Sequence, residues 1–393
     1  MGRLPNVQRT TLSQCAAIVI SISARLMSSA VSAALPRAVG PCVWTASELA
    51  HSPSVWTHSL TAHEIEELDA AVSRCGSADL LSIAAWPEGV DSGAVGAVMD
   101  KACHQLYAGH GLFLLRGLPV RDWGTERAAT AYWLLGLLLG TPVPQNRAGH
   151  VLGHVKDVGG DASDPQTRLY QTSVAQPYHT DSCDVVGLLC LRQASSGGDS
   201  QVVSSAAIFN ALADTRPELA HALLQPFHSD RKGEIPAGKG PTFQMPVFNE
   251  APDGRIVSMY DRSFIKAAHA RWPELPPLTD LQIKALDAAD SLAASDEFRL
   301  DMRLQPGDVQ FLHNHAIWHA RGAFSDEGGR VERRSRRHLL RLWLAAPPHL
   351  AWPLPPVFAE RYGTVDPHAA SPRGGIRVPG VQLCAPLDAS LPV

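Results

Sequence analysis

The stretch that decides the fold is His179-Thr180-Asp181, followed after a short gap by the apolar run Val185-Val186-Gly187-Leu188-Leu189-Cys190-Leu191. In an extended strand, residues i and i+2 project to the same face. His179 and Asp181 can therefore bind one ion together, while Thr180 points away. The apolar run is typical of a buried strand. The pattern predicts a pair of ligands that a β-sheet holds in place.

A third ligand can come from the segment that starts at Gly307-Asp308-Val309-Gln310-Phe311-Leu312. This segment predicts a turn, a short apolar strand and then a loop that carries His319. Two imidazoles and one carboxylate on one side of an ion leave the opposite positions open. That arrangement is the facial triad of non-haem Fe(II) oxygenases, in which the open positions take cosubstrate and oxygen.

A second His-x-Asp, His228-Ser229-Asp230, competes with the first for the role of ligand pair. It lies beside Arg231-Lys232-Gly233-Glu234, a polar turn whose basic residues would repel a cation. The first pair instead precedes an apolar strand and has a matching anion site downstream. We therefore expect the first pair to bind a metal and the second pair not to.

The anion site is the segment from Arg337 to Leu344, which predicts a strand with two faces. One face would carry Arg337, Leu339, Arg341 and Trp343, and the other His338, Leu340, Leu342 and Leu344. Two arginines on one half-buried face need an anionic partner, because an unpaired buried charge is costly. A carboxylate suits the planar guanidinium fork. The alternative is a pair of internal salt bridges to Asp or Glu.

Taken together, these motifs resemble the TauD/TfdA-like Fe(II)/2-oxoglutarate-dependent dioxygenases, a clavaminate synthase-like group. The resemblance covers roughly residues 110 to 345, with the elements in the family's own order. The matching text is Tyr178-His179-Thr180-Asp181, Gly197-Gly198-Asp199-Ser200, Gly307-Asp308-Val309, Asn314-His315, Ile317-Trp318-His319-Ala320-Arg321 and Arg337 to Arg341.

The resemblance implies a role for each matched site residue. The implied iron ligands are His179, Asp181 and His319. Arg337 would pair with the far carboxylate of 2-oxoglutarate, and Ser200 stands where the family usually has a Thr that hydrogen-bonds the same carboxylate. Arg341 matches a position near the cosubstrate or the substrate anion. No catalytic side chain beyond the metal ligands is implied.

The implied fold is a double-stranded β-helix, or jelly roll, which is mainly β with bracing helices. The predicted strands at 110–116, 185–192, 307–313 and 337–344 fit it. The implied cofactors are Fe(II), 2-oxoglutarate as cosubstrate and O₂. The implied reaction hydroxylates an unactivated C–H of a small-molecule substrate and releases succinate and CO₂. The intact Asp181 carboxylate favours hydroxylation over halogenation, while desaturation or ring formation stays open.

Two other functions use the same residues. A zinc-type metallohydrolase can have the same ligand set, but it would not need Arg337 and Arg341 on one strand face. A non-catalytic relative could keep the fold as a binding module, although its expected hallmark, loss of the triad, is missing here. Succinate formation that depends on iron and 2-oxoglutarate distinguishes these alternatives.

Composition is compatible with an enzyme that acts on small molecules. The chain has 393 residues, 45% of them hydrophobic, which is enough for a sizeable core. Its net charge is −4, from 34 basic and 38 acidic residues, so neither nucleic acid nor a membrane surface is the expected partner. The 7 cysteines are odd in number and form no C-x-x-C, which favours reduced thiols in an intracellular protein.

The chain ends differ from the middle. Residues 1–47 contain arginines and many Ser and Ala but no Asp or Glu, a composition typical of a mitochondrial or plastid transit peptide. We expect residues 1–40 to be such a peptide or a disordered tail, in which case the protein is mitochondrial or otherwise cytoplasmic. The dioxygenase domain is expected over 41–363 and a C-terminal tail over 364–393.

Local patterns predict several elements of the domain. Thr61-Ala62-His63-Glu64 is a capping box that should start a helix. Further helices are expected at 94–107, 132–139, 205–212, 217–224 and 278–294. Pro226 to Gly254 is rich in Pro, Gly and charge, and is expected to be a loop or lid. The family resemblance implies that such an insertion shapes the substrate pocket.

Overall fold

The computed structural model describes residues 35–326 and 336–377. The elements below belong to one packed unit that begins at Arg37. The predicted targeting segment lies outside the described residues as far as residue 34, and so do residues 378–393 of the expected C-terminal tail.

Helices cover the outside of the sheets. In the described residues they are α1 (Ala46–Ala50), α2 (Pro53–Trp56), α3 (Ala62–Cys75), α4 (Gly93–Tyr107), α5 (Val120–Leu139), α6 (Ser205–Thr215), α7 (Pro217–Leu223), α8 (Arg262–Arg271), α9 (Asp280–Ala293) and α10 (Ala359–Tyr362). Helix α3 starts at the predicted capping box, in which the Thr61 hydroxyl accepts from Glu64 N at 3.3 Å. The Glu64 carboxylate in turn accepts from Thr61 N at 2.7 Å.

The strands are short and spread over the whole unit. They are β1 (Thr57–Ser59), β2 (Leu112–Arg116), β3 (Thr141–Pro142), β4 (Leu152–Val155), β5 (Gln176–His179), β6 (Val185–Arg192), β7 (Ser196–Gly197), β8 (Ser200–Ser204), β9 (Pro226–Asp230), β10 (Thr242–Pro246), β11 (Phe248–Glu250), β12 (Ile256–Ser258), β13 (Leu300–Met302), β14 (Val309–His313), β15 (Ile317–Arg321), β16 (Phe324–Ser325) and β17 (His338–Ala345).

Two sheets form the body of the jelly roll. In the part of the chain that the structure describes, the larger sheet has the order β1-β2-β14-β6-β17-β3, and β4 also pairs with β17. The smaller sheet has the order β13-β8-β15-β5. Inner-face residues of both sheets, such as Val186 and Val202, belong to one buried cluster. The Ser200 hydroxyl of β8 also donates to the Gln310 side chain of β14 at 3.1 Å, so the two sheets face each other.

A second core lies between the larger sheet and the helices. Its buried residues include Leu135 from α5 and the β17 leucines Leu340, Leu342 and Leu344. Leu339 and Trp343 point to the inter-sheet cluster instead. The alternation predicted for this strand is therefore confirmed, and it directs Arg341 toward the space between the sheets.

Most predicted elements are confirmed, but three predictions are wrong. His319 lies in strand β15 and not in a loop. Residues 226–254 are not an irregular loop, because β9 and β10 form an antiparallel hairpin within them, followed by β11. Helix α8 was not predicted at all. The strand that carries the first His-x-Asp ends at His179, so Asp181 lies in the loop that follows it and not in the strand.

The packed unit continues beyond Gly363. Arg373 and Ile376 are 2% and 3% exposed, and Gly375 N donates to Ser182 O at 2.7 Å. No helix within the described ranges is both long and apolar enough to cross a membrane.

Candidate metal centre and adjoining pockets

The pairing of β5 with β15 brings two of the predicted ligands together. His179 and His319 stand directly opposite each other in this antiparallel pair, and their ring centroids are 4.1 Å apart. Residues opposite each other in adjacent strands project to the same face. Both imidazoles therefore point into the space between the sheets.

The third predicted ligand reaches the same point from the loop after β5. Asp181 N donates to the Asn314 side chain at 3.1 Å, which holds the loop in place. Its Oδ2 lies 3.8 Å from His319 Nε2. Potential ligand atoms of His179, Asp181 and His319 all lie within 4.8 Å of one another, and the three residues are 6–7% exposed. Among the described residues, no other group of His, Cys, Asp and Glu offers such a site.

The surroundings of the three side chains favour metal binding. Burial, together with the nearby His179, lowers the pKa of His319 to about 3, so its imidazole is neutral. Burial raises the pKa of the Asp181 carboxyl, but Arg341 and the two imidazoles outweigh burial and hold that pKa below its usual value. His179 Nδ1 donates to Pro177 O at 2.9 Å, so Nε2 is the ring nitrogen that can bind a metal. Two imidazoles and a carboxylate fit a ferrous ion.

A narrow pocket of about 470 Å³ leads from the three predicted ligands to the predicted anion site. Ser200, Arg321, Arg337 and Leu339 line it together with the ligands. Phe324 lies between the two arginines, with its ring centroid 4.8 Å from the Arg321 guanidinium and 5.0 Å from that of Arg337. The pocket therefore ends at two cationic groups.

The two arginines are not neutralised by carboxylates. Neither forms a side-chain ion pair with any described Asp or Glu, and Arg321 Nε and Nη1 and Arg337 Nη1 are buried without a hydrogen-bond partner in the described structure. The Arg337 guanidinium instead donates to Gly198 O at 3.2 Å. Burial and the charge of Arg337 lower the pKa of Arg321 to about 10. Of the two arginines for which internal salt bridges were the alternative, Arg337 forms none with a described Asp or Glu, whereas Arg341 lies 3.5 Å from the Asp181 carboxylate.

Arg321 belongs to the family motif, but the sequence alone assigns it no role. It lies two residues after His319 in β15, so the two side chains share one face of the strand. The same period-2 argument that linked Arg337 to Arg341 would have linked Arg321 to His319.

Arg341 lies at the metal end of the pocket. Its Nη1 is 3.5 Å from both carboxylate oxygens of Asp181, and its Nε donates to the Gln145 side chain at 2.8 Å. The guanidinium carbon is 4.7 Å from the Tyr170 ring centroid and 5.0 Å from that of Trp343. Arg341 thus stands between the ligand set and a second cleft.

This second cleft, of about 800 Å³ including its open mouth, lies on the other side of the ligands. The β9–β10 hairpin, the start of α8 and the loop before β5 line it, with Arg168, Lys232, Met245, Asp261, Phe264 and Arg361 among its residues. The hairpin, which lies in the segment predicted to be a loop or lid, thus lines a cleft beside the ligands.

The second His-x-Asp makes structural contacts instead of a metal site. The Asp230 carboxylate accepts from Arg271 Nη1 at 3.0 Å and from Trp272 Nε1 at 2.9 Å. His228 accepts from or donates to the Gln244 side chain across the hairpin at 2.9 Å. Arg271 thus compensates the Asp230 charge, and within the described residues this pair belongs to no group that could hold a metal ion.

A jelly roll with two histidines and one aspartate at its centre defines the class of non-haem iron oxygenases. The model of the taurine catabolism dioxygenase TauD, TfdA family matches residues 78–343, and the chain belongs to this family. It is therefore an enzyme of the dioxygenase type. The resemblance that the motifs indicated is confirmed, and so is the jelly-roll fold.

Relatives and solved structures agree with this assignment. FR-33289 synthase of Streptomyces rubellomurinus is 34% identical over 251 residues, which cover 63% of this chain and 73% of that protein. The taurine hydroxylase-like protein SAT17 of Stachybotrys chartarum is 29% identical over 303 residues, 75% of this chain and 76% of that protein. An asparagine oxygenase in complex with Fe(II), 2S,3S-3-hydroxyasparagine and succinate has the same fold, with a TM-score of 0.56, 17% identity and coverage of 74% of this chain and 93% of that one.

Proposed function

We propose that this protein is an Fe(II)/2-oxoglutarate-dependent dioxygenase that hydroxylates a small molecule and releases succinate and CO₂. The observation that carries the proposal is the position of the buried His179, Asp181 and His319 between two pockets, one of which ends at two unpaired arginines. One pocket then serves the cosubstrate and the other the substrate.

The three ligands would hold iron, and the bound iron with 2-oxoglutarate and O₂ would supply the oxidising chemistry. Asn314 holds the backbone amide of Asp181 and Arg341 lies beside its carboxylate, while Pro177 O accepts from His179 Nδ1 and so directs Nε2 to the metal. The low exposure of all three ligands excludes bulk water from the reacting atoms.

Arg337, Arg321 and Ser200 would bind the far carboxylate of 2-oxoglutarate. A carboxylate at the end of the narrow pocket would give the guanidinium atoms that now lack partners their hydrogen bonds, and it would compensate buried positive charge. The Ser200 hydroxyl, which donates to Gln310, can turn toward the same carboxylate. Arg341 would act at the boundary with the substrate cleft.

Hydroxylation is the outcome that this ligand set supports. Asp181 occupies the position that a halogenating enzyme would leave open for a halide, and Arg341 lies 3.5 Å from its carboxylate. A zinc hydrolase would explain the triad but not the narrow pocket that ends at Arg321 and Arg337.

The experiment compares metals and ligand variants. Purified protein is given Fe(II) or Zn(II) without oxygen, then 2-oxoglutarate and O₂, and succinate is measured. We expect succinate with Fe(II) alone among the two metals, and complete loss in His179→Ala or Asp181→Ala.

The matched control is His228→Ala, in the second His-x-Asp. It should keep iron binding and succinate formation, because His228 lies in the hairpin beside Gln244 and His269 and not among the three ligands. Loss of iron in His228→Ala with retention in His179→Ala would overturn the assignment, and Zn(II)-dependent activity without 2-oxoglutarate would favour a hydrolase.

A further inference from the structure

The turn between β9 and β10 contains an unusual backbone conformation. Lys232 has a φ of 48°, and no other described non-glycine residue has a positive φ. This left-handed region is unfavourable for a residue with a Cβ and is normally occupied by Gly or Asn. Such strain persists where the surroundings enforce it, and it clusters at ligand sites.

The second His-x-Asp enforces this conformation. Asp230 Oδ1 accepts from Lys232 N at 2.5 Å. The same carboxylate also accepts from Arg271, the last residue of helix α8, and from Trp272, which follows it. Asp230 is 1% exposed, so the anchor is rigid. The motif that resembled a metal site therefore fixes the direction of one lysine.

Lys232 points into the second cleft, which is the larger of the two and lies beside the ligand set. Its Nζ lies 3.5 Å from the Ser263 hydroxyl and 4.9 Å from the centroid of the Phe264 ring. Lys232, Asp181 and Arg341 line the same cleft. Burial lowers the pKa of the ammonium group, and the cost of that burial needs compensation.

Nearby carboxylates are already engaged. Glu234 Oε2 binds Arg168 at 3.1 Å and Arg361 at 3.4 Å. Asp261 Oδ1 accepts from the backbone N of Ser263 at 2.8 Å and from its hydroxyl at 2.6 Å, which caps helix α8. Lys232 makes no ion pair with any carboxylate of the described residues. Three cations thus face two carboxylates, and one positive charge is left over.

We propose that Lys232 is a specificity-determining residue that binds an anionic group of the substrate, a tetrahedral oxyanion of the phosphate, phosphonate or sulfonate type. A lysine ammonium is a compact point charge with three rotatable donors, and it is a common phosphate-binding group in proteins. The Ser229 hydroxyl also lines the cleft and can add a hydrogen bond. This inference rests on the proposed function, because it takes the larger cleft as the substrate site.

The test is an anaerobic calorimetric titration of methylphosphonate into protein saturated with Fe(II) and 2-oxoglutarate. Wild-type protein should bind methylphosphonate, and acetate more weakly. Lys232→Met should weaken the methylphosphonate Kd by about tenfold or more, as expected for the loss of a charged hydrogen bond. Lys239→Met is the matched control and should leave it unchanged, because Lys239 is exposed and pairs with Glu360 at 2.9 Å.

Lys232→Gly separates binding from folding. Glycine adopts a positive φ readily, so this variant should be at least as stable to heat as the wild type and still lose methylphosphonate. A wild-type protein that binds 2-oxoglutarate but no methylphosphonate would overturn the proposal, as would unchanged binding in both Lys232 variants. Tighter binding of acetate would overturn the class of anion. Failure to bind 2-oxoglutarate with Fe(II) would instead count against the proposed function.

Discussion

At the scale of single residues, surroundings decide what identical side chains can do. Asp181 and Asp230 both follow a histidine by two positions, yet Asp181 lies beside two imidazoles and Asp230 beside a guanidinium and an indole. Only the first arrangement offers convergent lone pairs to a cation. The same holds for arginine, since Arg271 is neutralised by Asp230 while Arg337 is not.

The arginines of the narrow pocket lead to a prediction about cosubstrate binding. Arg337→Ala should raise the Kd of 2-oxoglutarate by about tenfold or more, because a charged hydrogen bond contributes roughly 1.5–3 kcal/mol. Arg321→Ala should weaken binding in the same direction, and Arg337→Lys should recover only part, because an ammonium lacks the fork. Calorimetry with Fe(II)-loaded protein measures each value.

Variants of Ser200 should change 2-oxoglutarate binding less, and Arg336→Ala serves as a control. Ser200→Ala should have a milder effect and Ser200→Thr almost none, because threonine keeps the hydroxyl. Arg336→Ala, at the neighbouring position outside the pocket, should bind 2-oxoglutarate like the wild type. If Arg341→Ala alone lost 2-oxoglutarate, the roles of Arg337 and Arg341 would have to be exchanged.

At the scale of elements, the two faces of strand β17 carry different ionisable groups. One face carries Arg341, and the other carries His338, whose buried imidazole is neutral. His338 Nδ1 accepts from Arg192 Nη2 at 2.9 Å, and His338 Nε2 lies 2.8 Å from His154 Nδ1. Burial, with the neighbouring His154 and Arg192, lowers the pKa of His338 to about 2. A protonated His338 would place its positive charge beside that of Arg192, which would be unfavourable.

This depressed pKa predicts how stability depends on pH. Between the ordinary histidine pKa of about 6.5 and about 2, the unfolded chain binds a proton at His338 that the folded protein does not, so stability falls as pH falls. One such group contributes at most about 1.4 kcal/mol per pH unit. Urea unfolding of metal-free protein at pH 7 and pH 5 measures the difference.

The comparison is between two glutamine variants. His338→Gln should reduce the loss of stability between pH 7 and pH 5, whereas His368→Gln, at an exposed position, should leave the loss unchanged. An identical pH dependence in wild type and His338→Gln would contradict the assignment of a neutral, buried ring.

Elements differed in how far the sequence predicted them. Helix α3 was predicted because its capping box and apolar face are local, and β17 because its alternation is visible within eight residues. The β9–β10 hairpin was missed, since its register pairs residues across a Pro- and Gly-rich segment whose composition is typical of a loop. The ligand set was predicted from a motif, but the direction of Lys232 depends on a backbone angle that composition does not reveal.

At the scale of the whole molecule, the end of the chain is tied to the centre of the fold. Arg373 Nε binds Asp184 Oδ2 at 2.8 Å, and His315 Nε2 binds the other oxygen of Asp184 at 2.8 Å. Asp184 is fully buried between the ligand loop and β6. Burial raises the pKa of its carboxyl, but His315 and Arg373 outweigh burial and hold that pKa well below its usual value. The predicted domain limit at residue 363 would exclude Arg373 from this network.

Truncation tests where the domain ends. A chain that stops after Gly363 should lose about 3–5 kcal/mol of unfolding free energy, because removal of one partner leaves the buried Asp184 charge without its guanidinium. A chain that stops after Arg377 keeps Arg373 and should unfold at the wild-type urea concentration. Arg373→Met in the full-length chain should reproduce most of the first loss, which assigns it to the ion pair and not to the number of residues removed. Equal stability of the two truncated chains would show that the domain is complete at Gly363.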